Sequence, residues 1–233
     1  MADNVGMEVL VVAAHPDDEV LGCGATLAKH ARAGDRVFVQ ILGEGGTARA
    51  GRGKVGVKRV AELQRCAAKA AKVLKVKDLT MSGLPDNRFD GLELLEIVQH
   101  VERAIERYQP EVIYTHFWAD LNVDHRLTCQ AVVTAGRPMG VSAVRRVAAF
   151  EVLSSTEWSF GTVGPSFEPN VFERLDEELL EAKVEAMSCY PRELREWPHP
   201  RSPEGIEVLA RRRGSQCGAG LAEAFTLIRE VIL

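Results

Sequence analysis

In Val9-Leu10-Val11-Val12-Ala13-Ala14-His15-Pro16-Asp17-Asp18-Glu19, six apolar residues run directly into a histidine and three carboxylates. An apolar run of this length, rich in valine, reads as a strand buried on both faces. The imidazole and acids at its end cannot be buried unpaired, because a desolvated charge costs several kcal/mol or more without a partner. A divalent metal would satisfy them together. A plainer reading also stands: Asp17, Asp18 and Glu19 suit the first turn of the next helix and Pro16 its start. The helix macrodipole stabilises each such acid by roughly 0.3–1 kcal/mol. That reading leaves His15 unexplained.

Working outward, apolar runs alternate with segments of helical period, the pattern of βα units and a mainly parallel sheet. Strands are expected at Glu8 to Ala14, Arg36 to Leu42, Asp78 to Ser82, Val112 to His116 and Val147 to Val152. Val60, Leu63, Ala67, Ala70 and Leu74 form one helical apolar stripe, and Leu94, Ile97, Val101 and Ile105 form another behind Asp90 as cap. The last third changes character. Phe160 to Pro169 is rich in Gly, Pro and aromatics, Leu175 to Met187 reads as a helix, and Trp197 to Pro203 is an irregular loop because its prolines deny it regular hydrogen bonding. A helix from Pro203 to Arg213 and a short Ala222 to Ile232 segment close the chain. The fold class is α/β and Rossmann-like, with helices on both faces of the sheet and an irregular C-terminal appendage. With no repeat, linker or low-complexity tract, residues 1–233 read as one domain.

The charge balance narrows the functional classes. With 29 basic and 33 acidic residues intermixed, a net charge of −4 gives no footprint for nucleic acid. Arg211-Arg212-Arg213 is a solvated helix face. No stretch approaches the ~20 apolar residues of a membrane span, and Met1 to Met7 lacks the charged and apolar regions of a leader. A soluble, cytoplasmic protein with no nucleic-acid or membrane partner is expected. Cys23, Cys66, Cys129, Cys189 and Cys217 show no pairing or ligand spacing and read as free thiols.

A second polar cluster, Tyr114-Thr115-His116-Phe117-Trp118-Ala119-Asp120-Leu121-Asn122-Val123-Asp124-His125, follows the fourth strand. Ligands of open parallel sheets gather at the carboxyl ends of strands, so the two clusters can converge. His15, Asp18 and His125 would then form the His/carboxylate set of an open catalytic zinc site, one ion per chain, with water in the fourth position. Zinc lowers the pKa of such a water to about 7. Asp17, beside a ligand, is free to act as general base, and Asp124 is placed to accept the other ring N–H of His125. His116 is assigned to the site lining, with packing as its alternative; His30 and His100 read as surface residues.

The His15-Pro16-Asp17-Asp18-Glu19 motif, taken with Asp120-Leu121-Asn122-Val123-Asp124-His125, resembles the LmbE-like, PIG-L superfamily of zinc-dependent N-acetylglucosaminyl deacetylases. Glu151 to Trp158, Pro198 to Ser202 and Ala222 to Phe225 look like later blocks of its short microbial members. The resemblance implies His15, Asp18 and His125 as zinc ligands, Asp17 as general base and Asp124 as a supporting catalytic aspartate. Asn122 stands where many members carry a histidine. Asparagine can donate a hydrogen bond to an oxyanion but supplies no proton, so Asp17, His116 or His199 would protonate the leaving amine. The substrate is an acetamido-sugar small molecule, and the family makes a homo-oligomer the expected assembly. Arg49, Asp86, His116 and His199 are the substrate-binding candidates, with Phe117, Trp118, Trp158 and Trp197 as a possible apolar face for a sugar ring. Two rivals remain: an S-adenosylmethionine-dependent methyltransferase, suggested by the glycines of Val20 to Ala25, and a catalytically silent metal-binding module.

Overall fold

The computed structural model describes residues 6–48, 53–139 and 144–232. Five parallel strands, β1 (Glu8–Ala13), β2 (Arg36–Gly43), β3 (Asp78–Leu84), β4 (Val112–His116) and β5 (Arg146–Phe150), alternate with helices α1 (Asp18–Ala33), α2 (Lys54–Val73), α3 (Leu94–Tyr108) and α4 (Val123–Ala135). The chain then adds β6 (Val171–Leu175), α5 (Glu177–Ser188), α6 (Pro203–Gln216) and β7 (Leu221–Glu230). The single sheet runs β3-β2-β1-β4-β5-β7-β6, with β7 antiparallel to both neighbours. The α/β class expected from the sequence holds. The carboxyl-terminal third, expected as an irregular appendage, instead completes the sheet with two strands. Leu-Ala-Glu-Ala in β7 favours helix locally, and the strand forms because it fills the open edge of β5.

β1 divides the core by alternation. Val9, Val11 and Ala13 face the helices α1, α2, α5 and α6, while Leu10, Val12 and Ala14 face α3 and α4. All six are fully buried, which is why the run lacks polar positions. Asp90 does not cap α3: it lies in a short 3-10 turn, and Glu93 occupies the cap position without a side-chain bond. No helix among the described residues is long and apolar enough to cross a membrane. All five cysteines are free thiols.

Helix α1 is interrupted at Cys23, whose φ of −149° breaks the hydrogen-bond ladder. A buried ion pair from distant chain satisfies the freed groups. Glu223 of β7 accepts the N–H groups of Ala25 (3.1 Å) and Thr26 (2.7 Å), and Lys183 of α5 donates to Leu21 C=O (2.8 Å) and to Glu223 (2.6 Å). The glycines beside the break serve packing, not a nucleotide turn, since they lie within α1 rather than at the end of β1. A Cβ on Gly22 would fall 2.2 Å from Cδ2 of the buried Phe150. Gly22→Ala is therefore expected to destabilise the protein by about 1–3 kcal/mol in urea or thermal unfolding; an unchanged midpoint would contradict this packing.

Candidate active site

Strand order turns back between β1 and β4: β2 and β3 lie on one side, β5 on the other. Crevices form at such a switch point, outside the carboxyl ends of the strands. The chain leaving β1 supplies His15 to Asp18, and the loop and helix after β4 supply Asp120 to His125. His15 to Asp18, Leu121 to Val123 and His125 line a cleft of about 1120 Å³ together with Asp86, Trp158 and the segment ending at Arg201, while Asp120 and Asp124 lie buried behind it.

Asp18 is the meeting point. Its Oδ2 accepts the His15 N–H at 2.8 Å and lies 3.3 Å from His15 Nδ1 and 3.2 Å from His125 Nε2. The remaining ring nitrogens face other carboxylates. His15 Nε2 is 2.9 Å from Asp124 Oδ2, and His125 Nδ1 is 3.1 Å from Asp120 Oδ1. This corrects the expected support of His125 by Asp124: Asp124 supports His15, and its other oxygen takes the Phe89 N–H at 3.0 Å. Asp120, which the motif left without a role, holds His125 and accepts hydroxyls from Ser155 and Thr156 and the Asn122 N–H (2.8 Å). The Asp-x-Asn spacing of an Asx turn was the available signal for Asp120.

The geometry fits a divalent ion. His15, Asp18 and His125 are all buried, and one ligand atom from each lies within 4.8 Å of the other two. Ligands at 2.0–2.1 Å from a tetrahedral zinc stand roughly 3.3 Å apart, close to the 3.3 and 3.2 Å separations around Asp18. The second nitrogen of His15 hydrogen-bonds Asp124 and that of His125 lies 3.1 Å from Asp120, the carboxylate backing that metal-binding histidines have. A second grouping of His15, Asp86 and Asp124 is also compact, but it uses the same His15 nitrogen that Asp124 engages. Asp86 is otherwise occupied with Ala48 N–H (3.2 Å) and Asn87 Nδ2 (2.9 Å).

Electrostatics follow from burial and pairing. Burial opposes the charged imidazole at His15, yet Asp124 and Asp18 outweigh it and raise the ring to about 10. At His125, burial is outweighed by Asp18 and Asp120, and the ring rises to about 9. Burial would raise Asp18, but His125 and His116 hold it well below the usual carboxylate range. Asp17 goes the other way: burial pushes it well above that range, against the opposing charge of Arg201. Its Oδ2 accepts Arg201 Nη1 at 3.1 Å, and Ser154 Oγ accepts Arg201 Nε at 2.6 Å. Asp17 occupies the N-cap position of α1 without capping it, so its carboxylate is left to the cleft.

The other expected residues divide. His116 does not line the cleft: it is fully buried, its Nε2 accepts the Ala14 N–H at 2.8 Å, and its ring stacks on His125 at 4.0 Å. Burial and the neighbouring His125 push it well below its ordinary value, so it is a neutral ring that ties β1 to β4. Asn122 caps α4 through Oδ1 (2.9 Å to Asp124 N) and turns Nδ2 to Asn87 (3.3 Å), at the cleft. His199 lines the cleft and accepts the Arg201 N–H on Nδ1 at 3.1 Å, which places the proton of its neutral ring on Nε2. Arg49 lies outside the described residues. Among the aromatics only Trp158 lines the cleft; Phe117 is buried, and Trp118 lines a different groove beside Arg126 and Val133. His30 is half-buried at the edge of a groove, its ring nitrogens engaging Asp35 (2.7 Å) and the Tyr114 hydroxyl (3.0 Å).

A mainly parallel α/β sheet with a metal-capable His/Asp cluster at its switch point defines the class, and the chain belongs to the PIG-L family, described as GlcNAc-PI de-N-acetylase, whose pattern matches residues 10–136. The family is one of deacetylases. A relative from Escherichia coli K12, the uncharacterized deacetylase YaiS, is 27% identical over 184 residues, 77% of this chain and 88% of that protein. The N,N'-diacetylchitobiose deacetylase of Pyrococcus horikoshii shares the fold at a TM-score of 0.78 and 17% identity, over 98% of this chain and 87% of the other. GalB of Pseudomonas putida KT2440, a 4-carboxy-2-hydroxymuconate hydratase, does so at 0.76 and 21%, over 97% and 98%.

Removing the Asp120 carboxylate strands two hydroxyls and a backbone N–H and takes away the charge 3.1 Å from His125 Nδ1. Asp120→Ala is expected to destabilise the fold by at least about 1–3 kcal/mol, measured by denaturant unfolding; a stability equal to the parent would deny Asp120 its place as the support of His125.

Proposed function

We propose that this protein is a zinc-dependent deacetylase that hydrolyses the N-acetyl group of an acetamido-sugar small molecule, releasing acetate and a free amine. The observation that carries this reading is the separation of tasks between adjacent acids: Asp18 is turned onto both imidazoles, while Asp17 faces the cleft beside Arg201. His15, Asp18 and His125 would hold one zinc ion per chain. Bound there, the ion supplies Lewis-acid polarisation of the amide carbonyl and lowers the pKa of water to about 7.

The chain's own groups account for the proton traffic. Burial raises the basicity of Asp17, which suits it to take a proton from the attacking water and return it to the departing nitrogen. Arg201 orients that carboxylate. His199, lowered by burial and by the charges of Arg201 and Arg195, stays neutral and offers an Nε2 donor to the developing oxyanion. Asn122 Nδ2 is a second donor at the cleft, and a single such donor is commonly worth about 10²–10³ in rate. Trp158, edge-on to His199 at 5.7 Å between ring centroids, offers an apolar face for a sugar ring, with Asp86 in the same cleft for its hydroxyls. The deacetylase relatives support this choice over the hydratase chemistry of GalB, because the family match includes both motifs.

Acetate release from a panel of acetamido sugars tests the reading. Turnover should vanish with a zinc chelator and return with zinc. Asp17→Asn should keep its zinc and lose about 10²–10⁴ in kcat; near-normal turnover would remove Asp17 as base. Asp124→Asn should weaken zinc binding by about 10–100-fold in chelator competition; an unchanged affinity would contradict its support of His15.

A further inference from the structure

Asp17 stands at φ 104° and ψ −26°, a left-handed conformation that a non-glycine residue keeps only when its surroundings impose it. Its C=O accepts the N–H groups of Val20 (3.1 Å) and Leu21 (2.9 Å), which are ordinary bonds of a helix start. Its N–H donates to Oε2 of Glu19 at 3.0 Å. That bond depends on where the Glu19 side chain points, and the cause lies far along the chain. Oε1 of Glu19 accepts the hydroxyl of Tyr190 at 2.6 Å, across a sequence separation of 171. Both side chains are buried, Glu19 at 2% exposure and Tyr190 at 1%. Tyr190 sits in the core just beyond the end of α5, where the chain starts toward Arg201. The residue that fixes the Asp17 backbone and the one that grips its carboxylate thus belong to one segment.

We propose that Tyr190 and Glu19 are positioning residues for Asp17: the Tyr190 hydroxyl orients the Glu19 carboxylate, which holds the Asp17 N–H in the left-handed turn. That turn is what lets two consecutive aspartates face different partners, Asp18 the imidazoles and Asp17 the cleft. Neither residue touches substrate. The kinetic consequence rests on the deacetylase reading, whereas the conformational one does not.

Tyr190→Phe removes only the hydroxyl. A misplaced base should lower kcat by about 10- to 10²-fold, with KM and zinc stoichiometry changed by less than about twofold. Glu19→Gln, which replaces one acceptor with a donor, should act in the same direction. In an Asp17→Asn background, Tyr190→Phe should change the residual turnover by less than about twofold, because the group it positions is gone. A parental kcat, or an equal loss in both backgrounds, overturns the proposal. If the parent protein hydrolyses no acetamido sugar, the functional reading fails alone, and the crystal structure of the Tyr190→Phe protein decides. Asp17 should there leave the left-handed region and release Arg201; an Asp17 unmoved in that structure overturns the proposal.

Discussion

One carboxylate oxygen, Asp18 Oδ2, is shared by the His15 N–H, His15 Nδ1 and His125 Nε2, at 2.8 to 3.3 Å. An anion buried so completely needs compensating charge. Two more carboxylates, Asp124 and Asp120, lie behind the imidazoles with no exposure. Three anions therefore surround two rings, and positive charge has to be supplied at the centre. The acids raise His15 and His125 despite their burial, and a dication held there would supply the same positive charge. Each ring is oriented between two acids: both rings turn one nitrogen to the shared Asp18 oxygen, and the other nitrogens face Asp124 and Asp120.

The sheet makes this cluster possible. β1 and β4 are neighbours, so the chain leaving each arrives at the same point, and the neutral His116 joins their ends by accepting the last N–H of the β1 side. Helix α1 brings Asp18 and Glu19 in its first turn and is then broken at Cys23, where Glu223 and Lys183 replace the missing helical bonds. The buried pair anchors α1 to β7 and α5, and Tyr190 beyond α5 reaches Glu19 at the start of the same helix. The carboxyl-terminal third thus supports α1 at its middle and at its first turn.

The same fold carries a hydratase in GalB and a chitobiose deacetylase in Pyrococcus horikoshii, so the sheet does not decide the chemistry. The site does. Family membership and the paired motifs define a deacetylase framework, and the arrangement of Asp17, Arg201 and His199 around the cleft gives the amide-hydrolysis reading its roles.

Much of this was legible from local pattern. The unbroken apolar run of β1 with its polar terminus and the helical stripes of α2 and α3 are properties of neighbouring residues, and periodicity reports them directly. Pairings that depend on chain brought in from elsewhere were not. Asp124 supports His15 rather than the adjacent His125, because the first turn of α4 points it away from its neighbour and toward β1. His116 packs rather than lines, because the Ala14 N–H takes its nitrogen. Glu223, Lys183, Tyr190 and Arg201 meet α1 from more than 150 positions away, a separation over which no spacing rule operates; only closure of the core decides which side chain arrives.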